Sequence, residues 1–426
     1  EVDGLPRDPR RLGRGEVDAR SADVGRRAGA ADRDLLRERV DRTGVLRLHQ
    51  AQGQRVGGDA VPRVLDRTRF GWDERFYLTT TSGSTSAPKI ADTIFGHRIW
   101  LSLRHARGMK LAPGETIAAL PPMTSGTSDT LIHHAAPYFA ATMVLEARFD
   151  PEETVDLLID EGVHVATAVP AMLARMVAKG SIDRLADAPL RCFATYASSI
   201  SYDIGAAVET RARCGVVRCY GTMDFGGISM TTLDDDREVR IRTVGKPFDV
   251  NEVHIVDEHG RDVAPGAEGE IVMRPSRVVM GCGYYRDLAS TRKSWTDDFY
   301  RLGDLGRLDA DGNLVLVGRA SELIIRGGQN IVPAEIEELL MSHANVSDAV
   351  VVGVPDEVMG ERVCACIIPK AGETVTVEDA RRHFEALGVA SFKCPEMVVP
   401  FEEFPLAMSG MKVDRRQLVA MLTTGT

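Results

Sequence analysis

From Phe70 onward, apolar residues recur along the chain in two rhythms. Within 151–161 the inward positions are Val155, Leu157 and Leu158, and within 333–342 they are Ile336, Leu339 and Leu340. Spacings of three and four place each set on one face of a helix. Residues 252–256, 270–273, 314–317 and 349–354 instead form short strand-like runs. Turn-forming clusters bound them, notably Asp257-Glu-His-Gly260 and Asp309-Ala-Asp-Gly-Asn313. Strands and helices alternate without an internal repeat, which predicts an α/β fold with some antiparallel hairpins.

The opening stretch does not share this pattern. Residues 1–69 hold 16 arginines and no lysine, aromatic residue, cysteine, methionine, asparagine or isoleucine. With 12 acidic residues the stretch is net +4, against −14 for the rest of the chain. A segment without aromatics or isoleucine has little to pack, so weak order is expected. It reads either as the product of a shifted reading frame or truncated gene, or as a divergent arm in which residues 32–40 suit one helix.

Composition narrows the functional classes. The formal charge is −10, which argues against a general nucleic-acid surface. No run approaches the roughly 18 apolar residues of a membrane span, and the start lacks a signal-peptide pattern. Seven cysteines without a C-x-x-C pair read as reduced thiols of a cytoplasmic protein, not a disulfide frame or zinc site. Cys364 and Cys366 lie within a strand-like run, 362–369, and read as buried structural thiols.

Five stretches carry candidate chemistry. Leu78-Thr-Thr-Thr-Ser-Gly-Ser-Thr-Ser-Ala-Pro-Lys-Ile90 is a hydroxyl-rich loop ending in a cation. Hydroxyls, loop amides and Lys89 suit phosphate oxygens, although a polar surface loop would look similar. The Walker A spacing is absent. Cys219-Tyr-Gly-Thr-Met-Asp-Phe-Gly-Gly227 breaks from an apolar strand into a glycine loop, where Asp224 suits either a magnesium ligand or a turn. Tyr300-Arg-Leu-Gly-Asp-Leu-Gly306 presents Asp304 at a glycine turn, suited to two ribose hydroxyls, and Arg319 follows the next strand. Ile324-Ile-Arg-Gly-Gly-Gln-Asn-Ile-Val-Pro-Ala-Glu-Ile-Glu337 is a double-glycine turn entering a helix through Pro333. Phe404-Pro-Leu-Ala-Met-Ser-Gly-Met-Lys-Val-Asp-Arg-Arg-Gln-Leu418 places Lys412 after a Ser-Gly turn.

In this order and spacing, the five stretches resemble the core signatures of the AMP-forming, adenylate-forming superfamily: acyl- and aryl-CoA synthetases, adenylation domains and luciferases. The resemblance runs from about Phe76 to Leu418 and is closest to aryl-acid and related ligases over 231–418, as in Gly245-Lys-Pro247, Gly283-Tyr-Tyr285 and Ser391-Phe-Lys-Cys-Pro395. It implies an α/β fold with a large multi-sheet, N-terminally incomplete adenylation domain (70–319) and a small mobile α+β domain (320–426) carrying Lys412. It implies that Thr81, Ser82, Gly83, Ser84, Thr85 and Lys89 hold ATP phosphates. Tyr220 and Gly221 would flank adenine and the acyl pocket, with Ser198 in an adenine-contacting turn. Asp304 and Arg319 would hold ribose, Asp224 magnesium, and Lys412 the reacting carboxylate and α-phosphate. An uncharged acid pocket would include Thr124, Ser125, Val169 and Tyr220. Where the family pattern has a glycine and two threonines, this chain has Ser86, Met223 and Leu302, and Ser321 stands at the hinge. The implied reaction converts an aryl or medium aliphatic acid and ATP to acyl-AMP, then transfers the acyl group to coenzyme A. Loading of a carrier protein, and a decayed relative that only binds nucleotide, are the alternatives.

Overall fold

The structure is a computed structural model that describes residues 46–48, 75–81, 89–123, 125–196, 200–223, 225–275, 283–296, 298–406 and 413–424. The chain divides into two units, Glu1–Leu46 and Arg47–Thr426. The second contains every element discussed below. It is an α/β assembly of several sheets with covering helices.

Strands β1 (Arg75–Thr80) and β2 (Ile90–Ile94) pair antiparallel on either side of the hydroxyl-rich loop, and β2 runs directly into helix α1 (Phe95–Gly108). The largest sheet follows. Its strands β3 (Thr116–Ala119), β4 (Thr142–Leu145), β5 (Val165–Ala168), β6 (Cys192–Thr195) and β7 (Gly215–Thr222) run parallel in the order β4-β3-β5-β6-β7. Every residue of β5 and β6 is buried, as expected for parallel strands covered on both faces. Alternation sorts their side chains into two cores. Val165, Cys192, Ala194 and Val217 pack with Leu101 of α1 and with Met109, which directly follows it. Ala166, Phe193 and Val216 pack under Val155 and Leu158 of α2 (Glu153–Asp160), Leu173 and Met176 of α3 (Pro170–Lys179) and Val208 of α4 (Tyr202–Arg211).

The α2 helix matches the period read over 151–161, and α3 begins at a proline, whose missing amide costs nothing in the first turn. From β7 the chain folds back as antiparallel β8 (Gly226–Met230), with a register shift between Tyr220 and Gly221. A second antiparallel sheet joins β9 (Asn251–Val256), β10 (Gly269–Pro275), β12 (Phe299–Leu308) and β13 (Leu314–Arg319), while β11 (Gly283–Tyr284) pairs with β2. These strands contain the runs expected at 252–256, 270–273 and 314–317.

The remaining sheet orders β15 (Gln329–Ile331), β14 (Ile324–Arg326), β17 (Gly360–Pro369) and β16 (Val346–Asp356), with β18 (Met397–Pro400) parallel to β17. One face packs Val351, Val363 and Ala365 against Ile336 and Leu340 of α5 (Pro333–Met341) and Phe384 of α6 (Val377–Ala386). The other packs Val350, Cys364 and Cys366 against Leu418 of α7 (Arg415–Thr424). The same alternation therefore gives this region its own two-sided core. Among the described residues no helix is long and apolar enough to cross a membrane.

Candidate active site

In open parallel sheets, ligands bind beyond the carboxyl ends of the strands, where loops can approach a shared crevice. The expected pocket residues Ser125, Val169 and Tyr220 all follow or end such strands: Ser125 lies beyond β3, Val169 directly after β5 and Tyr220 near the end of β7. Val169 is buried and leads into α3 with extended backbone. Ser125 is buried and caps the helix Gly126–Asp129, accepting from the Ser128 amide at 3.3 Å. A Cβ added to Gly126 would lie 2.5 Å from Met223 Sδ, so the pocket segment and the turn after Tyr220 are in close contact.

The segment bearing Ser125 is anchored from below. Asp129, almost fully buried, pairs with Arg98 Nη1 of α1 at 3.2 Å and with His133 Nδ1 at 2.5 Å. Burial pushes the Asp129 carboxyl up, but the His133 hydrogen bond and the charge of Arg98 hold it below the ordinary range. The His133 hydrogen bond to Asp129 raises the imidazole pKa against the effect of its partial burial. A six-residue π-helix, Thr130–Ala135, follows.

Three of the residues expected at the nucleotide, Tyr220, Asp304 and Arg319, meet at one carboxylate. Asp304 and Arg319 are cross-strand neighbours on β12 and β13, and Arg319 Nε lies 3.1 Å from Asp304 Oδ1. The Tyr220 hydroxyl, 84 positions away in sequence, donates to Asp304 Oδ2 at 2.7 Å. Asp304 is only 6% exposed, so burial is compensated by a cation and a hydroxyl donor. Gly221 must be glycine here: a Cβ would meet the Gly226 carbonyl oxygen at 2.2 Å.

Thr81 and Lys89 close the neck of the hydroxyl-rich loop. The Thr81 amide donates to the Lys89 carbonyl at 2.9 Å, and the Lys89 amide donates to Thr81 Oγ1 at 3.1 Å. The Lys89 ammonium sits 4.6 Å above the Tyr284 ring. The Tyr284 hydroxyl lies 3.4 Å from that of Tyr300, which begins the strand stretch leading to Asp304 and stacks near Phe225 with 5.0 Å between centroids. Tyr284, Tyr300 and the Arg98–Asp129 pair were not singled out from sequence. Both tyrosines lie in motif stretches, Gly283-Tyr-Tyr285 and 300–306, whereas the Arg98–Asp129 pair becomes visible only through long-range pairing. Ser82, Gly83, Ser84, Thr85, Thr124, Ser198, Asp224 and Lys412 lie outside the described residues.

Cysteine chemistry has little place near this site. Burial pushes the Cys214 and Cys219 thiols up to about 12 and Cys192 higher still, so each stays protonated near neutrality. Among the described residues no group of three or more His, Cys, Asp or Glu side chains is arranged to hold a metal.

Comparison with known proteins matches this architecture. The profile of the AMP-binding enzyme family matches residues 22–285, starting upstream of the motifs, and that of the AMP-binding enzyme C-terminal domain matches 335–410. The chain is 31% identical over 370 residues to an indoleacetate–CoA ligase of Aromatoleum aromaticum, covering 86% of this chain and 71% of that protein. It is 32% identical over 283 residues to a 2,3-dihydroxybenzoate-AMP ligase of Bacillus subtilis, covering 66% of this chain and 52% of that one. Among solved structures, ATP-bound MatB from Rhodopseudomonas palustris shares the fold, with a TM-score of 0.74 at 23% identity over 82% of this chain and 69% of that chain. The chain belongs to the AMP-binding enzymes, the adenylate-forming superfamily of ATP-dependent, AMP-forming ligases.

Proposed function

We propose that this chain activates an aryl or medium aliphatic carboxylic acid as its acyl-adenylate and passes the acyl group to the thiol of coenzyme A. One observation carries the reading: Tyr220, Asp304 and Arg319, from three different strands, meet at a single buried carboxylate near the carboxyl end of β7. A buried carboxylate with one lobe anchored by a phenol and the other by a guanidinium is a rigid acceptor for vicinal hydroxyls such as those of ribose. The indoleacetate and dihydroxybenzoate ligases among the relatives favour an aromatic acid.

In the first half-reaction the substrate carboxylate attacks the α-phosphorus of ATP, and pyrophosphate leaves. Negative charge accumulates on the five-coordinate phosphorus centre, so preplaced donors and cations lower the barrier. Lys412 would contact the entering carboxylate and the α-phosphate. Thr81, Ser82, Gly83, Ser84, Thr85 and Lys89 would hold the departing phosphates, and Ser198, Tyr220 and Gly221 the adenine. Thr124, Ser125 and Val169 would line an uncharged pocket for the acid. Magnesium, when bound with the triphosphate, supplies further charge neutralisation. Asp224 fits that role, because this ion takes one or two carboxylates and completes its shell with phosphate oxygens and water. In the second half-reaction the 320–426 domain would rotate near Ser321 and admit the thiol, which attacks the acyl carbon and releases AMP.

The test is acid-dependent ATP–pyrophosphate exchange over a panel of aryl and aliphatic acids, followed by thioester formation with coenzyme A. Lys412→Ala should lower exchange about a hundredfold; exchange at the parental rate would remove that lysine from the mechanism. Acid-dependent exchange without coenzyme A thioester, but with acylation of a carrier protein, would select the carrier-loading alternative. That alternative is favoured by the relative named salicyl-AMP ligase / salicyl-S-ArCP synthetase from Mycobacterium tuberculosis. An intact protein that binds ATP without any acid-dependent exchange would be the non-catalytic relative.

A further inference from the structure

Beneath the turn that follows Tyr220, helix α1 presents His97, Leu101 and His105 at four-residue intervals. The glycine pair opening β8 is what lets this face come close. A Cβ on Gly226 would lie 2.4 Å from His97 Cε1, and one on Gly227 would lie 2.3 Å from Leu101 Cδ1. Both histidines are buried: His97 is 0% and His105 2% exposed. Neither ring nitrogen of His97 has a hydrogen-bond partner among the described residues, and Nε2 of His105 also lacks one. The other nitrogen of His105 lies 3.1 Å from the Tyr196 hydroxyl. Phe248 covers the His105 ring at 6.0 Å between centroids. Fully buried polar atoms are normally satisfied, so a buried imidazole with two idle nitrogens next to a ligand-binding turn needs a partner that arrives later.

We propose that His97, backed by His105, forms the polar floor of the acid pocket and hydrogen-bonds an uncharged hydroxyl or amino substituent on an aromatic acid. The inference rests on the adenylation reading above and specifies its substrate class. The reacting carboxylate is not the partner, because it must face the α-phosphate. A neutral imidazole offers one donor and one acceptor, which a hydroxyl or amine can satisfy in either tautomer. Burial holds both rings neutral, with pKa values down to about 3, so a second carboxylate on the substrate would find no counter-charge. The nearest cation on the same helix, Arg98, is already paired with Asp129.

The test compares kcat/KM for pyrophosphate exchange with benzoate, hydroxybenzoates, aminobenzoates, benzene dicarboxylates and hexanoate, using the full chain. The best hydroxyl- or amino-bearing acid should exceed benzoate by about tenfold or more, and dicarboxylates should be the poorest aromatics. His97→Leu should reduce that preference to about threefold or less by lowering the polar acids more than benzoate; His97→Gln should retain part of it. A flat preference in the parent protein, exchange with hexanoate alone, or an equal loss on all acids in His97→Leu would overturn the inference while leaving adenylation intact. No exchange with any acid would remove both. Should His97→Leu fail to fold, imidazole nitrogen resonances of the parent protein decide: those of His97 should move when a hydroxybenzoate and ATP are added, and not with benzoate. Unmoved resonances would overturn the inference.

Discussion

Asp304 gathers a phenol and a guanidinium from two other strands, and each of these partners can be removed singly. Tyr220→Phe deletes one hydroxyl donor to a charged acceptor, worth roughly 1.5–3 kcal/mol. The KM for ATP in pyrophosphate exchange should therefore rise about tenfold or more, and the melting temperature should fall by a few degrees because the buried carboxylate loses a donor. An unchanged KM would mean that the phenol does not hold the nucleotide-binding conformation. His97 and His105 also give the fold an acid limit. Both fall to about 3 when folded, from 6.5 when free, because burial disfavours the cation. Between pH 6.5 and 3 the unfolded chain therefore binds more protons, so stability is full above that window and declines as pH falls through it. Each histidine contributes a slope of up to about 1.4 kcal/mol per pH unit. Urea unfolding across this range should show a shallower slope in a His97→Leu, His105→Leu double variant. His133 acts oppositely: its raised pKa means that its contribution is full below about 6.5 and is lost as pH rises through the folded value.

Elements are held to the site by buried pairs as well as by apolar faces. The Arg98–Asp129 pair ties α1 to the helix that starts at Gly126, with side chains only 5% and 2% exposed. Asp129→Ala would leave a buried guanidinium without its carboxylate, at a cost of roughly 3–5 kcal/mol. Denaturant unfolding should detect that loss, and a change below about 1 kcal/mol would show that the pair is dispensable. At the other end of the chain, α6 begins with a capping box. Thr376 Oγ1 accepts from the Asp379 amide, and the Asp379 carboxylate accepts from the Thr376 amide. Thr376→Ala should cost about 1 kcal/mol without changing exchange kinetics, since neither residue of the box is assigned to the site.

At the scale of the whole molecule, the region beyond Arg319 is a structural part in its own right. It has its own sheet and two-sided core, and Arg415 of α7 connects it internally: Nη1 lies 2.7 Å from Glu337 Oε1 and Nε 3.4 Å from Glu322 Oε2. Glu322 belongs to the short 3-10 turn Ala320–Glu322 that joins β13 to β14. If this turn is the pivot between the half-reactions, stiffening it should separate them. Ser321→Pro is expected to keep pyrophosphate exchange within about threefold and to lower thioester formation at least tenfold. Equal effects on both steps would argue against rotation at this point.

The sequence alone determined the local elements wherever one periodicity dominates. The helix over 153–160, the proline-led helix at 333 and the strands around 252, 270, 314 and 349 all follow from spacing and turn residues, since amphipathic faces are set by neighbours three or two positions apart. Family membership was also readable there, because the five motifs are contiguous stretches in a fixed order. Tertiary structure alone decided which distant residues touch. The Tyr220–Asp304 hydrogen bond, the Arg98–Asp129 pair, the cation of Lys89 over Tyr284 and the idle nitrogens of His97 under Gly226 have no short-range signature. The physical reason is that periodicity reports what one segment needs to bury. Hydrogen bonds and buried charges are satisfied by whatever the fold brings within about 3 Å, at any separation along the chain.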